Sequence, residues 1–269
     1  MSALEQVFAR CREEDRSALV AYLPAGYPDL AASVAAVRAA AEAGADVVEV
    51  GVPYTDPLMD GPVIERAASQ ALAGGFRLAQ TFEVVRAVHD AGAVPVVMSY
   101  WNPVLRYGVD AFATELSAAG GAGMITPDLV PDEAGAWREA AAAHGLDPVF
   151  LVAPSSTDAR LAMTARACRG FVYVASTMGV TGTRSSVGAG AAELVRRTRE
   201  VTDLPLCVGL GVSTGAQAAE VASFADGVIV GSALVAAIGQ DPTLGTLRSL
   251  VDELAAGVRG GRALARETR

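Results

Sequence analysis

The chain has 269 residues, 52% of them hydrophobic and 19% charged, enough apolar material for a large core and far from the composition of a disordered chain. Its formal net charge of -9 comes without any basic run, which excludes the concentrated positive surface that nucleic acid requires. The first residues lack an apolar leader core, and no stretch approaches the roughly 18 apolar residues of a membrane span, so a soluble cytoplasmic protein is expected, with no membrane partner.

Short runs rich in Val, Ile and Leu alternate with longer Ala-rich amphipathic segments, as buried parallel strands alternate with surface helices. In chain order the pattern predicts a helix at 5–14, a strand at 18–22, a helix at 30–43, a strand at 47–50 and an extra helix at 63–73. A helix at 78–91, a strand at 94–98, a helix at 109–119, a strand at 123–125 and a helix at 132–144 follow. The rest reads as strands at 149–152, 171–174, 206–208 and 227–230, separated by helices at 158–167, 191–202 and 215–223, with a last helix at 242–258. Glycines in "AEAGADVVEVG", "HDAGAVPVVM" and "SAAGGAGMI" end a helix shortly before the next strand begins.

Eight strand–helix units without a linker-like stretch fit an α/β fold, one (β/α)8 TIM barrel over residues 1–269 with extra helices. The helix at 5–14 would then be a lid over the barrel bottom. An open doubly wound sheet uses the same grammar, but no G-x-G-x-x-G follows the first strand run.

All 21 basic side chains are arginine, so neither a lysine imine nor an internal pyridoxal phosphate aldimine can form on this chain. His89 and His144 sit near the glycines that end helical runs, where a cation complements the helix dipole. Cys11, Cys168 and Cys207 are odd in number and widely spaced, which suggests ordinary thiols and neither a disulfide framework nor a metal site. The short Arg-rich tail at 259–269 needs no function.

Carboxylates are therefore the leading acid–base candidates. Glu49, in "VVEVG", stands near the C-terminal end of the second strand run, where period-2 alternation lets it face the barrel interior. A buried glutamate has either a raised pKa suited to proton transfer or hydrogen bonds that make it structural. Asp60 closes the loop "PYTDPLMDGPVIER" before Gly61 and Pro62, so it also suits a helix N-cap. Asp56, before Pro57, is a turn or rim residue. Three glycine-rich loops, "GVTG" at 179–182, "VGLGVS" at 208–213 and "VGSAL" at 230–234, follow strand runs. Gly211, Gly231 and Ser232 thus suit a backbone phosphate cradle, or else ordinary turns.

The sequence resembles the tryptophan synthase alpha chain family over nearly its whole length. The resemblance is carried by "EVGVPYTDPLMDGPVI" around Glu49 and Asp60, and by "YLPAGYPD", "YWNPVLRYG", "ITPDL", "FLVAPSS", "MGVTG", "GLGVS" and "VIVGSAL". It implies a lyase in L-tryptophan biosynthesis that splits indole-3-glycerol phosphate into indole and glyceraldehyde 3-phosphate by a retro-aldol reaction. Glu49 and Asp60 would be the catalytic pair, and Tyr22, Met98, Tyr100, Ile125, Leu151 and Tyr173 would line the indole pocket. The loop holding Thr181 and Gly182 would close over the substrate, with Thr181 orienting Asp60. The resemblance also implies a beta-subunit partner in an alpha2beta2 heterotetramer, with an internal indole tunnel and with pyridoxal phosphate on that partner, so no cofactor on this chain.

Asp56, Pro57, Asp128 and Leu129 match partner-facing loops. Departures from the family pattern are Pro24, Val130, Thr177 and Leu210. Other readings are a different phosphate-binding barrel, which would normally want a lysine or another acid pair, and a binding subunit that mainly activates its partner.

Overall fold

The computed structural model describes residues 1–175, 188–209 and 211–267. Nine strands lie among them: β1 (Ala18–Pro24), β2 (Val47–Gly51), β3 (Val94–Met98), β4 (Gly123–Ile125), β5 (Asp147–Val149), β6 (Leu151–Val152), β7 (Val172–Ala175), β8 (Leu206–Gly209) and β9 (Gly227–Val230). All neighbours pair in parallel, in the order β5-β4-β3-β2-β1-β9-β8-β7-β6. β5 and β6 are two halves of one run on either side of Phe150, so the sheet is a nearly closed TIM barrel. The expected fifth strand is therefore split and begins two residues early. Phe150 interrupts it because its N–H turns to the Cys168 sulfur at 3.3 Å, while its carbonyl accepts from Tyr173 N–H at 3.2 Å.

The described helices are α1 (Ala3–Glu13), α2 (Leu30–Glu42), α3 (Pro62–Ala73), α4 (Thr81–Asp90), α5 (Trp101–Tyr107) and α6 (Val109–Ala118). They continue with α7 (Gly135–His144), α8 (Asp158–Ala167), α9 (Gly188–Arg199), α10 (Gly215–Ala222), α11 (Ser232–Gln240) and α12 (Gly245–Glu267). Two were not expected from periodicity. α5 is only seven residues long and carries Pro103 in its first turn, where a missing N–H does no harm. α11 is apolar almost throughout, so its sequence has no polar face to mark the helical period. No described helix is long and apolar enough to cross a membrane. The three cysteines are buried and free, and His89 and His144 occupy the last turns of α4 and α7.

Alternation along each strand divides the core in two. Leu19, Leu23, Val48, Val50, Val97, Met124, Phe150, Val172, Val208 and Val228 point outward into the layer shared with the helices. Val20, Val47, Val96, Ile125, Val149, Phe171, Cys207 and Ile229 fill the barrel interior. α1 completes that interior: Leu4, Val7, Phe8 and Cys11 form a stripe at helical spacing and join the inner cluster. The Phe8 and Phe171 rings stand 5.8 Å apart. Ser2 fixes the entry of α1 by a capping box with Glu5, and its hydroxyl also donates to Asp147 Oδ2 at 2.5 Å. α1 thus plugs the N-terminal end of the barrel as expected, which leaves the other end for a site.

Carboxylates at this lower end hold the strands in place. Asp46, just before β2, accepts two hydrogen bonds from the Arg16 guanidinium at 2.7 and 2.8 Å and a third from Leu19 N–H at 3.0 Å. Asp226, before β9, accepts from Leu206 N–H at 2.9 Å and pairs with Arg199. Arg16 and Asp46 are both buried, so removing one partner strands a charge. Arg16→Ala should lower stability by about 3 kcal/mol or more, read as a fall in the urea midpoint, whereas a change within error would mean that the pair contributes no net stability.

Candidate active site

The site grows from the C-terminal ends of the strands. Glu49 is the third residue of β2, level with Tyr22 on β1 and Val96 on β3. Its side chain follows Val47 into the barrel, and it is 1% exposed. Neither carboxyl oxygen has a hydrogen-bond partner among the described residues. Burial first, and the charge of Asp60 second, push the Glu49 carboxyl up to about 8 from an ordinary 4.5. A group in that range can both take and return a proton near neutrality. The structural alternative, a glutamate satisfied by its own hydrogen bonds, is thereby excluded for the described residues.

Asp60 comes from the loop between β2 and α3. Gly61 is the N-cap of α3, no side chain caps that helix, and Pro62 opens it. Asp60 is therefore not the cap; it turns instead to Tyr100, whose hydroxyl donates to Oδ1 at 3.2 Å. Burial raises the Asp60 carboxyl, while the Tyr100 hydrogen bond opposes the rise. Tyr22 and Tyr173 are partly exposed at the top of the interior. Burial holds both hydroxyls well above their ordinary value; the charges of Asp60 and then Glu49 add to this at Tyr22, and Glu49 adds to it at Tyr173.

Two glycines make room for these rings. A Cβ on Gly51, at the end of β2, would collide with the Tyr22 hydroxyl, and one on Gly209, at the end of β8, would lie 2.5 Å from the Tyr173 hydroxyl. Gly231 is the N-cap of α11 and Ser232 its first residue. A Cβ on Gly231 would lie 3.3 Å from the Tyr22 ring and 3.6 Å from Ile64. The N-terminus of α11 therefore opens beside the same tyrosine that faces Glu49. Gly211, after β8, holds a left-handed φ of 64°, which glycine adopts readily.

Tyr22, Glu49, Asp60, Tyr100, Tyr173 and Gly231 are thus brought together, with Ser232 next in line. Thr181 and Gly182 lie outside the described residues, as do Thr177 and Leu210. On the rim, Asp56 is exposed and accepts from Thr55 at 2.6 Å, while Asp128 accepts from Trp101 N–H at 2.9 Å and caps α5 from afar. Leu129 is buried, but Leu58, Met59, Leu105 and Val130 are exposed. The sequence reading missed Ile64 and the role of Tyr54, whose ring lies 5.3 Å from that of Tyr100. Neither carries a local signal, because each matters only through a neighbour distant in sequence.

The sequence profile of the tryptophan synthase alpha chain matches residues 8–260. Tryptophan synthase alpha chains from Mycolicibacterium paratuberculosis and Mycobacteroides abscessus are 61% and 62% identical, over 96% and 95% of this chain and 95% and 97% of theirs. The chain belongs to the tryptophan synthase alpha chain family. A solved structure of tryptophan synthase from Mycobacterium tuberculosis matches with a TM-score of 0.92 and 59% identity, covering 96% of this chain and 98% of that one. The alpha subunit from Legionella pneumophila keeps a TM-score of 0.86 at 29% identity, over 96% of this chain and 98% of its own.

Membership assigns the alpha reaction of tryptophan biosynthesis, the lyase cleavage of indole-3-glycerol phosphate to indole and glyceraldehyde 3-phosphate. The alpha chain carries no cofactor, pyridoxal phosphate residing on the beta subunit, which is the partner of this family.

The state of Glu49 is measurable without substrate. Between its ordinary value of 4.5 and about 8 the folded chain keeps a proton that the unfolded chain has released, so this group makes stability fall as pH rises through that window and level off above it. Glu49→Gln abolishes the effect. Its stability relative to the parent should therefore rise by about 1 kcal/mol per pH unit between about pH 5 and about pH 8, as read from urea midpoints; a pH-independent difference would contradict the raised value.

Proposed function

We propose that Glu49 and Asp60 perform the cleavage, Glu49 as the proton carrier and Asp60 as the electrostatic partner of the indole ring. The observation that supports this best is the Glu49 carboxyl, buried at the strand ends with no hydrogen-bond partner among the described residues. Indole C3 is protonated to give an indoleninium cation that keeps its N–H, and the carboxylate so formed then removes the proton of the hydroxyl next to the breaking bond. The carbon–carbon bond pair then flows into the ring, releasing indole and an aldehyde. Glu49 serves both proton transfers, and Asp60 accepts the indole N–H and offsets the positive charge that develops on the ring. Tyr22, Met98, Ile125, Leu151, Tyr173 and the ring of Tyr100 form the apolar walls.

The phosphate is bound by backbone N–H groups of Gly211, Gly231 and Ser232 with the dipole of α11, an arrangement that needs no lysine. Thr181 and Gly182, which lie outside the described residues, complete the set of substrate-binding residues. The whole of 1–269 works as one barrel domain, in the cytoplasm, within an alpha2beta2 heterotetramer that passes indole through a tunnel. The exposed apolar side chains Leu58, Met59, Leu105 and Val130, beside Asp56 and Asp128, support docking of the partner on this rim.

Glu49→Gln keeps the volume and removes the proton carrier, so indole release from indole-3-glycerol phosphate, assayed with and without the beta subunit, should fall by about 10²–10⁴-fold. Near-parental cleavage would refute the assignment. Ser232→Asp places a carboxylate in the first turn of α11, which suits the helix dipole but repels an anion. It should raise KM by about tenfold or more while leaving the urea midpoint in place; an unchanged KM would put the phosphate elsewhere.

A further inference from the structure

Tyr100 stands just before α5 with its side chain buried, and its hydroxyl is fully engaged by the neighbouring loop. Leu58 N–H and Met59 N–H both donate to it at 3.0 Å, and it donates to Asp60 Oδ1 at 3.2 Å. A phenol has one proton and two lone pairs. With both lone pairs facing N–H donors, the proton has one direction left, toward Asp60. Nothing on this hydroxyl remains for a substrate.

We propose that Tyr100 is a positioning residue whose hydroxyl fixes the loop at 58–60 and holds Asp60 in place as a carboxylate, contacting substrate only through its ring. The proposal rests on Asp60 being the ring's electrostatic partner, and it deepens that reading. Two further contacts steady the phenol. Its ring packs against Tyr54, and the next backbone N–H, that of Trp101, donates to Asp128. Residues 100 and 101 therefore tie the loop after β2 to the loop after β4. Burial pushes the Tyr100 hydroxyl up to about 12, so it remains a donor throughout the working range.

Besides burial, the groups that act on the Asp60 carboxyl are Tyr100 and Glu65 on α3, and its own charge is felt by Glu49 on β2 and Tyr22 on β1. Of these only Tyr100 donates a hydrogen bond to it. Losing that bond removes a contact that favours the charged form, so the titration midpoint of Asp60 must move up.

The test uses the full chain labelled with ¹³C at the aspartate carboxyls, the Asp60 signal being identified by its absence in Asp60→Asn. Tyr100→Phe should raise the Asp60 midpoint by about one pH unit. It should also lower kcat for cleavage by about tenfold while KM stays within about twofold, the signature of an effect confined to the transition state. Tyr100→Phe leaves two N–H groups unmet and can weaken the fold. A second variant, with 3-fluorotyrosine at position 100, therefore keeps the contact with a more acidic donor and should move the midpoint down. An unmoved midpoint in both variants overturns the proposal, as does a rise in KM with kcat unchanged, which would put the hydroxyl on the substrate. If the midpoints shift but Asp60→Asn cleaves like the parent, the positioning stands and the role assigned to Asp60 fails.

Discussion

A carboxyl group buried in an apolar barrel with no hydrogen bond from any described residue is the constraint around which this structure is arranged. Desolvating an unpaired charge is among the largest penalties a fold can carry, and a group so placed lowers it by keeping its proton. Glu49 does so at the level of Tyr22 and Val96, one side chain above the purely apolar layer of Val20 and Val47. Strand alternation alone sends it inward. The parallel barrel then surrounds it with apolar side chains below and the Tyr22 and Tyr173 phenols at its own level, none of which hydrogen-bonds to it.

The two ends of the barrel treat carboxylates in opposite ways. At the lower end, Asp46 and Asp226 accept backbone N–H groups and arginine side chains, and Asp147 takes the Ser2 hydroxyl, so each is engaged where it sits. α1 seals that end with a stripe of apolar residues. At the upper end, Glu49 has no hydrogen-bond partner among the described residues, and Asp60 has one oxygen committed to Tyr100. At the lower end the carboxylates are braced by hydrogen bonds and ion pairs, Asp147 Oδ1 alone of the oxygens named here being buried without a hydrogen bond, whereas at the upper end neither oxygen of Glu49 meets one from a described residue.

Space at the upper end is set by glycine as much as by the large side chains. Tyr22 and Tyr173 each lay a hydroxyl over the glycine that ends the adjacent strand, Gly51 and Gly209 respectively. Any Cβ there would displace the ring. The N-terminus of α11 meets the same Tyr22 through Gly231, so the proposed phosphate and indole regions share one tyrosine.

The sequence by itself determined the alternation of strands and helices, the inward position of Glu49, the absence of lysine and the glycine loops, because each depends on local spacing or on composition. It also carried the family, through a long motif around Glu49 and Asp60. It left open whether Glu49 was satisfied, whether Asp60 was a cap, where the fifth strand broke, and that α5 and α11 were helices. Those outcomes depend on residues far apart in the chain: Tyr100 reaches Asp60 across forty positions, and Cys168 draws off the N–H of Phe150. Only the closed barrel brings such groups within hydrogen-bond range. The unmet polarity of Glu49 is likewise a property of everything around it, which no local pattern records.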